Sequence, residues 1–230
     1  MEQSGKRPLK EISESFSSLA DNLKKDSDSG VDVANFAHAC DRISILFSSL
    51  GIAFKFAEKD YVAKVKDLLD ASKEFENLAA MIDSDIKADT VRQGGSHTRN
   101  LLRVKRCLDM VRVLFQQVLV TPGNSLKEPA AKAYAQVFAP HHSWPIRKAV
   151  AAGLFVIPSK SAFLAKLNDT ESPAEEYVQT FVTCAEPVVQ YSPFNYLKGV
   201  PFKIRFELVT FNGGTLTRLA PSAIPNEDGD

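Results

Sequence analysis

Ser96-His97-Thr98-Arg99-Asn100-Leu101-Leu102-Arg103-Val104-Lys105-Arg106-Cys107, continuing to Val120, is the most strongly patterned stretch of the chain. At 100° per residue, with Arg103 at zero, Leu101, Val104, Leu108, Val111, Phe115 and Val118 fall within roughly 60–160° and form a core stripe. Lys105, Asp109, Arg112 and Gln116 follow at about 180–240°, a face suited to water. The third face is mixed. Arg99, Arg103 and Arg106 gather at its start, and Cys107, Met110 and Leu114 replace them about 16 Å further along. A solvated face has no need of that apolar end, and a core has no need of the arginines. An amphiphile with an anionic head and a hydrocarbon tail suits both.

Ser96 is placed to cap this helix, and Thr121-Pro122-Gly123-Asn124 stops it. The preceding helix, over 52–71, carries the complementary gradient. With Asp60 at zero, Lys64 lies at about 40°, and Ala53 and Phe56 share that face one and two turns earlier. Were the two charged ends to meet, Asp60 and Lys64 would join Arg99 and Arg103 around one spot, with apolar residues behind. From Lys87 to Arg112 there are seven basic residues and two acidic ones, a local positive field in a chain of zero net charge. Plainer readings exist for each half. Asp60 and Lys64 alone describe a solvated i,i+4 pair worth ~0.2–0.5 kcal/mol, and the arginines alone describe a solvated helix start.

The remaining pattern is helical up to about residue 190. Leu9, Ile12, Phe16, Leu19 and Leu23 mark a first helix, and a second run from Val33 is interrupted by Gly51 without ending. Further helices are predicted over 72–90, 129–140, 145–156, 159–168 and 173–190, so the chain reads as all-α with seven or eight helices. From Ser192 onward, prolines and glycines break any helix, and Phe202, Ile204, Phe206 and Leu208 alternate as in a strand. Residues 1–191 are therefore expected to form the domain, and 192–230 a weakly structured tail.

Composition narrows the function classes. Neutral overall charge gives no global attraction for nucleic acid or anionic membrane. Cys40, Cys107 and Cys184 are odd in number and widely spaced, which suits reduced thiols of a cytoplasmic protein. Neither an N-terminal apolar leader nor an 18-residue apolar run occurs, so secretion and membrane spanning are not expected. There is no metal-ligand spacing, phosphate-binding glycine loop or nucleophile elbow, so no metal, cofactor or catalytic residue is predicted. Ser96-His97 reads as a cap and loop pair. His141 and His142, beside the only tryptophan, Trp144, cannot both face one site, and a structural role for them is as reasonable as a binding one.

Three blocks carry a specific resemblance: Phe-Ala-Glu-Lys-Asp-Tyr-Val-Ala-Lys around Asp60 and Lys64, the 96–106 block, and Phe-Ala-Pro-His-His-Ser-Trp over 138–144. In this order, across residues 8–191, the chain resembles the glycolipid transfer protein superfamily, and within it the plant accelerated-cell-death type that binds ceramide-1-phosphate. The resemblance implies a two-layer all-α sandwich holding one sphingolipid, with the head at the surface and the chains inside. It implies that Asp60 accepts from the sphingoid amide and hydroxyl, that Lys64, Arg99 and Arg103 hold the phosphate, and that His142 donates to the acyl carbonyl. Glycolipid-selective members carry a stacking tryptophan at the position of Arg103. A guanidinium there suits phosphate, because it forks onto anionic oxygens. Two departures stand out: Pro145 follows Trp144, and Pro193 replaces the helix with which relatives continue past the position of Tyr191. The implied activity is non-enzymatic transfer of ceramide-1-phosphate between membranes, with transient peripheral contact. The rival expectation is a helical adaptor that binds acidic partners or membrane surfaces without extracting lipid.

Overall fold

Apolar residues at three- and four-residue steps turn one stripe of each segment inward, and the result is a stack of helices around one core. The structure is a computed structural model and describes residues 7–25, 30–167, 174–191, 193–194, 210–212 and 215–217. Among these, the helices are α1 (Pro8–Lys25), α2 (Val33–Arg42), α3 (Ile45–Leu50), α4 (Lys55–Ala71), α5 (Leu78–Lys87), α6 (His97–Val120), α7 (Lys127–Val137), α8 (Trp144–Gly153), α9 (Lys160–Leu167) and α10 (Ala174–Val189). Short 3-10 turns occupy Ile52–Phe54 and Ala139–His141. Two three-residue strands, Thr210–Asn212 and Thr215–Thr217, pair antiparallel with Phe211 opposite Leu216. The alternating stretch 202–208 lies outside the described residues.

The all-α expectation holds, but the run from Val33 to Ala71 is three helices where the periodicity suggested one interrupted helix. The N–H groups of Ile43 and Ser44 bond to Cys40 and Asp41, three residues back, which tightens and ends α2. Gly51 then ends α3 at φ 107°, a conformation that side chains resist. The helix expected over 72–90 begins only at Leu78. Backbone bonds from Val33 N to Glu76 O and from Leu78 N to Val31 O claim the residues before it. Asp32 and Asn77, facing each other in that bridge, cap α2 and α5 by accepting from Asn35 N and Ala80 N.

Contacts close a ring of α1, α2, α4, α6 and α10, and α6 also touches α5 and α7. Inside the ring, Phe181 takes Phe16 and Phe115 edge-on at 5.1 and 5.5 Å. Each such buried ring contributes about 1.5–3 kcal/mol by leaving water. Lys160 of α9 donates to the carbonyls of Val118 and Thr121, satisfying the C-terminal end of α6. The chain after α10 is tied down too. Tyr191 Oη accepts from Val31 N and occupies the space a side chain on Gly30 would need, and Phe194 is buried against Phe36 and Tyr191. None of the helices in the described residues is long and apolar enough to cross a membrane.

Candidate functional site

Helices α4 and α6 pack antiparallel. Asp67 near the end of α4 meets His97 at the start of α6, while Asp60, two turns earlier, interacts with Arg103 and Cys107. This orientation sets the charged half of each gradient beside the other. Ser96 caps α6 by accepting from Arg99 N, as its position suggested, and Asp85 adds a second cap by accepting from Thr98 N at 2.7 Å. Burial alone would raise the Asp85 carboxyl, but bonds from Thr90 and Thr98 outweigh it and hold it below the ordinary range.

Lys64 is buried and donates both to the Asp60 carboxylate and to the Asp60 carbonyl. Burial lowers its pKa, Asp60 opposes that, and the positive charges of Arg103 and Arg99 add to it. Arg103 is likewise lowered by burial and by Arg99, against the pull of Asp60. Arg106, lowered by burial and by Arg103, extends the cluster toward His141 and His142. Among the described residues, no carboxylate lies within ion-pair distance of Arg99 or Arg103. Among the described residues, Lys64, Arg99 and Arg103 thus share a half-buried patch with the single carboxylate of Asp60, a charge imbalance that an anion with several oxygens would relieve.

His142 stands at the far side, at the end of the turn after α7. It is buried, nearly parallel to the Phe138 ring, and shares a 2.9 Å hydrogen bond between Nδ1 and Tyr134 Oη. Burial, with His141 and Arg106 adding to it, holds its pKa at about 4, so the ring is neutral near pH 7. In the tautomer whose Nδ1 accepts from Tyr134 Oη, the neutral imidazole carries its proton on Nε2. His141 is exposed, and burial with the Arg106 charge lowers its pKa.

The apolar half of the gradient is partly as expected. Cys107 and Leu114 are buried and Met110 packs against the core. Burial and the nearby Asp60 charge push the Cys107 thiol up to about 12, so it stays protonated and behaves as an apolar group. Phe56 departs from expectation: it lies in the first turn of α4, on the face of Asp60, and is 47% exposed. Ala53 lies outside the described side chains. Ile52, Trp144, Phe155 and Val156 are also exposed. The 3-10 turn holding Ile52 meets the end of α8, where a methyl on Gly153 would sit 3.9 Å from the Phe54 ring. Lys127 Nζ caps the Phe155 ring at 3.3 Å. Pro145 sits in the first turn of α8, where its missing N–H costs nothing.

Residues 31–169 match the glycolipid transfer protein (GLTP) family. The chain belongs to that family. It is 52% identical over 186 residues to accelerated cell death 11 of Arabidopsis thaliana, covering 80% of this chain and 90% of that protein. A crystal structure of an aspartate-to-alanine mutant of that Arabidopsis protein, complexed with C12 ceramide-1-phosphate, superposes with a TM-score of 0.81 at 49% identity, covering 86% of this chain and 100% of that one. Human ceramide-1-phosphate transfer protein, in complex with 12:0 ceramide-1-phosphate, gives a TM-score of 0.67 at 23% identity over 83% of this chain and 93% of that one, a likeness of fold. The two-layer all-α architecture implied by the sequence motifs is the fold of this family member.

Sequence reading named Asp60, Lys64, Arg99, Arg103 and His142, and the first four come together on α4 and α6, with His142 joined to them through Arg106. It passed over the contact between Asp67 and His97, and His97 is the first residue of α6, not part of the loop. One signal was available: Asp60, Lys64 and Asp67 fall at i, i+4 and i+7, a single stripe of α4.

Proposed function

We propose that this protein extracts single sphingolipids with a phosphorylated head, ceramide-1-phosphate foremost, from one membrane and delivers them to another without chemical change. The observation that carries this is the partly buried cationic patch of Lys64, Arg99 and Arg103, balanced among the described residues by Asp60. Phosphate monoester oxygens accept forked guanidinium bonds and supply the missing negative charge. Asp60 then remains an acceptor for amide and hydroxyl donors of a sphingoid base, and His142, in the tautomer protonated at Nε2, suits an acyl carbonyl. A similar ligand is bound by the Arabidopsis relative, which supports the assignment.

Transfer needs no bond chemistry. A chain of about sixteen methylenes leaving a bilayer loses about 13 kcal/mol at ~0.8 kcal/mol per methylene, and an apolar protein interior removes most of that barrier. The protein must touch the membrane for this. Exposed Phe56 lies one turn before Asp60, and exposed Trp144 lies two residues after His142, so apolar side chains flank the polar patch. Trp144, Ile52, Phe155 and Val156 are suited to the headgroup layer, with Lys127 and Lys148 over the Phe155 and Trp144 rings available to lipid phosphates. The protein is then a peripheral visitor at membranes. A vesicle-to-vesicle assay with fluorescent ceramide-1-phosphate tests the proposal, with the matching galactosylceramide as control. Transfer of the first and little of the second is expected. Salt-sensitive vesicle binding with no lipid movement would refute the carrier and favour a membrane-bound adaptor.

A further inference from the structure

We propose that His97 and Asp67 form a positioning tether that fixes the spacing of the cations across the α4–α6 seam. The inference rests on the cationic patch being a phosphate site. Nδ1 of His97 lies 3.0 Å from Asp67 Oδ2, and because a carboxylate only accepts, the imidazole donates. The ring is held further by the edge-on contact of Phe75 at 6.1 Å. Asp67 shares the stripe of α4 that carries Asp60 and Lys64, about 10 Å along the helix from Asp60.

The tether stands where the seam most needs an attraction. Lys64 on one side and Arg99 and Arg103 on the other repel each other, and that repulsion acts to part the two helices before ligand arrives. Arg99 is only two residues beyond His97, in the first turn of α6, where backbone N–H groups lack helical partners and ends fray. Ser96 and Asp85 satisfy the N–H groups of Arg99 and Thr98, which orders the turn itself. The caps come from the loop before α6 and from α5, whereas the imidazole fastens the turn to α4. Both partners of the tether are partly exposed, at 34% and 25%, so its loss should leave overall stability almost unchanged. Its effect falls on where Arg99 sits relative to Lys64 and Asp60.

The test uses the full chain, fluorescent ceramide-1-phosphate transfer between vesicles, and inorganic phosphate binding followed at the arginine side chains by NMR. His97→Ala and Asp67→Ala should each weaken phosphate binding and slow transfer about 3–10-fold, and the double variant should lose no more than either alone. His97→Asn, whose amide can reach the same carboxylate, should recover most of the loss, with thermal midpoints within about 2 °C of the parent. Unchanged transfer and phosphate binding in both single variants, or losses that multiply in the double variant, would overturn the tether. A parent chain that binds phosphate at the arginines yet moves no lipid overturns the carrier alone, and the tether then stands if His97→Ala weakens that binding. A parent chain that binds neither overturns both.

Discussion

Arg103 and Arg112 lie on the same helix, nine residues apart, and meet opposite electrostatic surroundings. Arg112 forks onto Asp109 through Nε and Nη2 and donates from Nη1 to Glu186 of α10 at 2.6 Å, with its side chain only 12% exposed. Its charge is matched, and the match fastens α6 to α10. Arg103 is half-buried beside Arg99 and Lys64, with Asp60 as the nearby counter-charge among the described residues. A satisfied ion pair serves the fold. A desolvated cluster left with surplus charge costs stability in the empty protein, and its persistence points to a ligand that completes it.

The contrast can be broken experimentally. Arg103→Ala should cut ceramide-1-phosphate transfer about 100-fold or more, equivalent to roughly 3 kcal/mol, while leaving thermal stability equal or slightly higher. A large drop in stability with normal transfer per folded molecule would reverse the roles assigned to the two arginines. His142 sharpens the picture along the pH axis. Its folded pKa, about 4, lies below the unfolded value near 6.5, so the unfolded chain takes up the proton first as pH falls. Its contribution is present above pH 6.5, is lost progressively between about 6.5 and 4, and totals about 3 kcal/mol. Denaturant midpoints of the parent and of His142→Gln at pH 7 and 4.5 should therefore converge on acidification, and a constant gap would refute the neutral buried imidazole.

Arg112→Ala should destabilise by about 1–2 kcal/mol, toward the low end for a half-buried pair because Glu186 is 45% exposed. Transfer per folded molecule should be unaffected, as a combined melting and vesicle assay would reveal. The smallest effect concerns free anion. Inorganic phosphate at tens of millimolar should raise the melting midpoint of the parent and of Arg112→Ala by about 1–3 °C, and leave Arg103→Ala unmoved. Equal shifts in all three would mean that phosphate acts on solvent, not on the patch.

Much of this was legible in the chain because local rules dominate there. The wheel over 96–120 separates core from charge correctly: every stripe residue from Leu101 to Val118 is buried, and Ser96 caps where the spacing put it. The gradient on α6 was readable for the same reason, with Cys107 and Leu114 buried and Met110 packed on the core. What escaped depends on partners far away in sequence. Arg112 reads as a water-facing residue on a wheel, which cannot know that Glu186 will arrive from α10. His97 follows a correctly placed cap, but nothing near it in sequence announces Asp67, thirty positions earlier, as its partner. Phe56 was assigned to the lining from its place on the face of Asp60, but a wheel cannot say what packs over the first turn of α4, and there the ring is 47% exposed.

Titration of short-chain ceramide-1-phosphate against the fluorescence of Trp144, the single tryptophan and a neighbour of His142, compares the two arginines directly. Saturable binding by the parent, unchanged in Arg112→Ala and weakened at least tenfold in Arg103→Ala, is predicted. Equal affinity in all three proteins, or equal affinity for the same ceramide without its phosphate, would contradict the account.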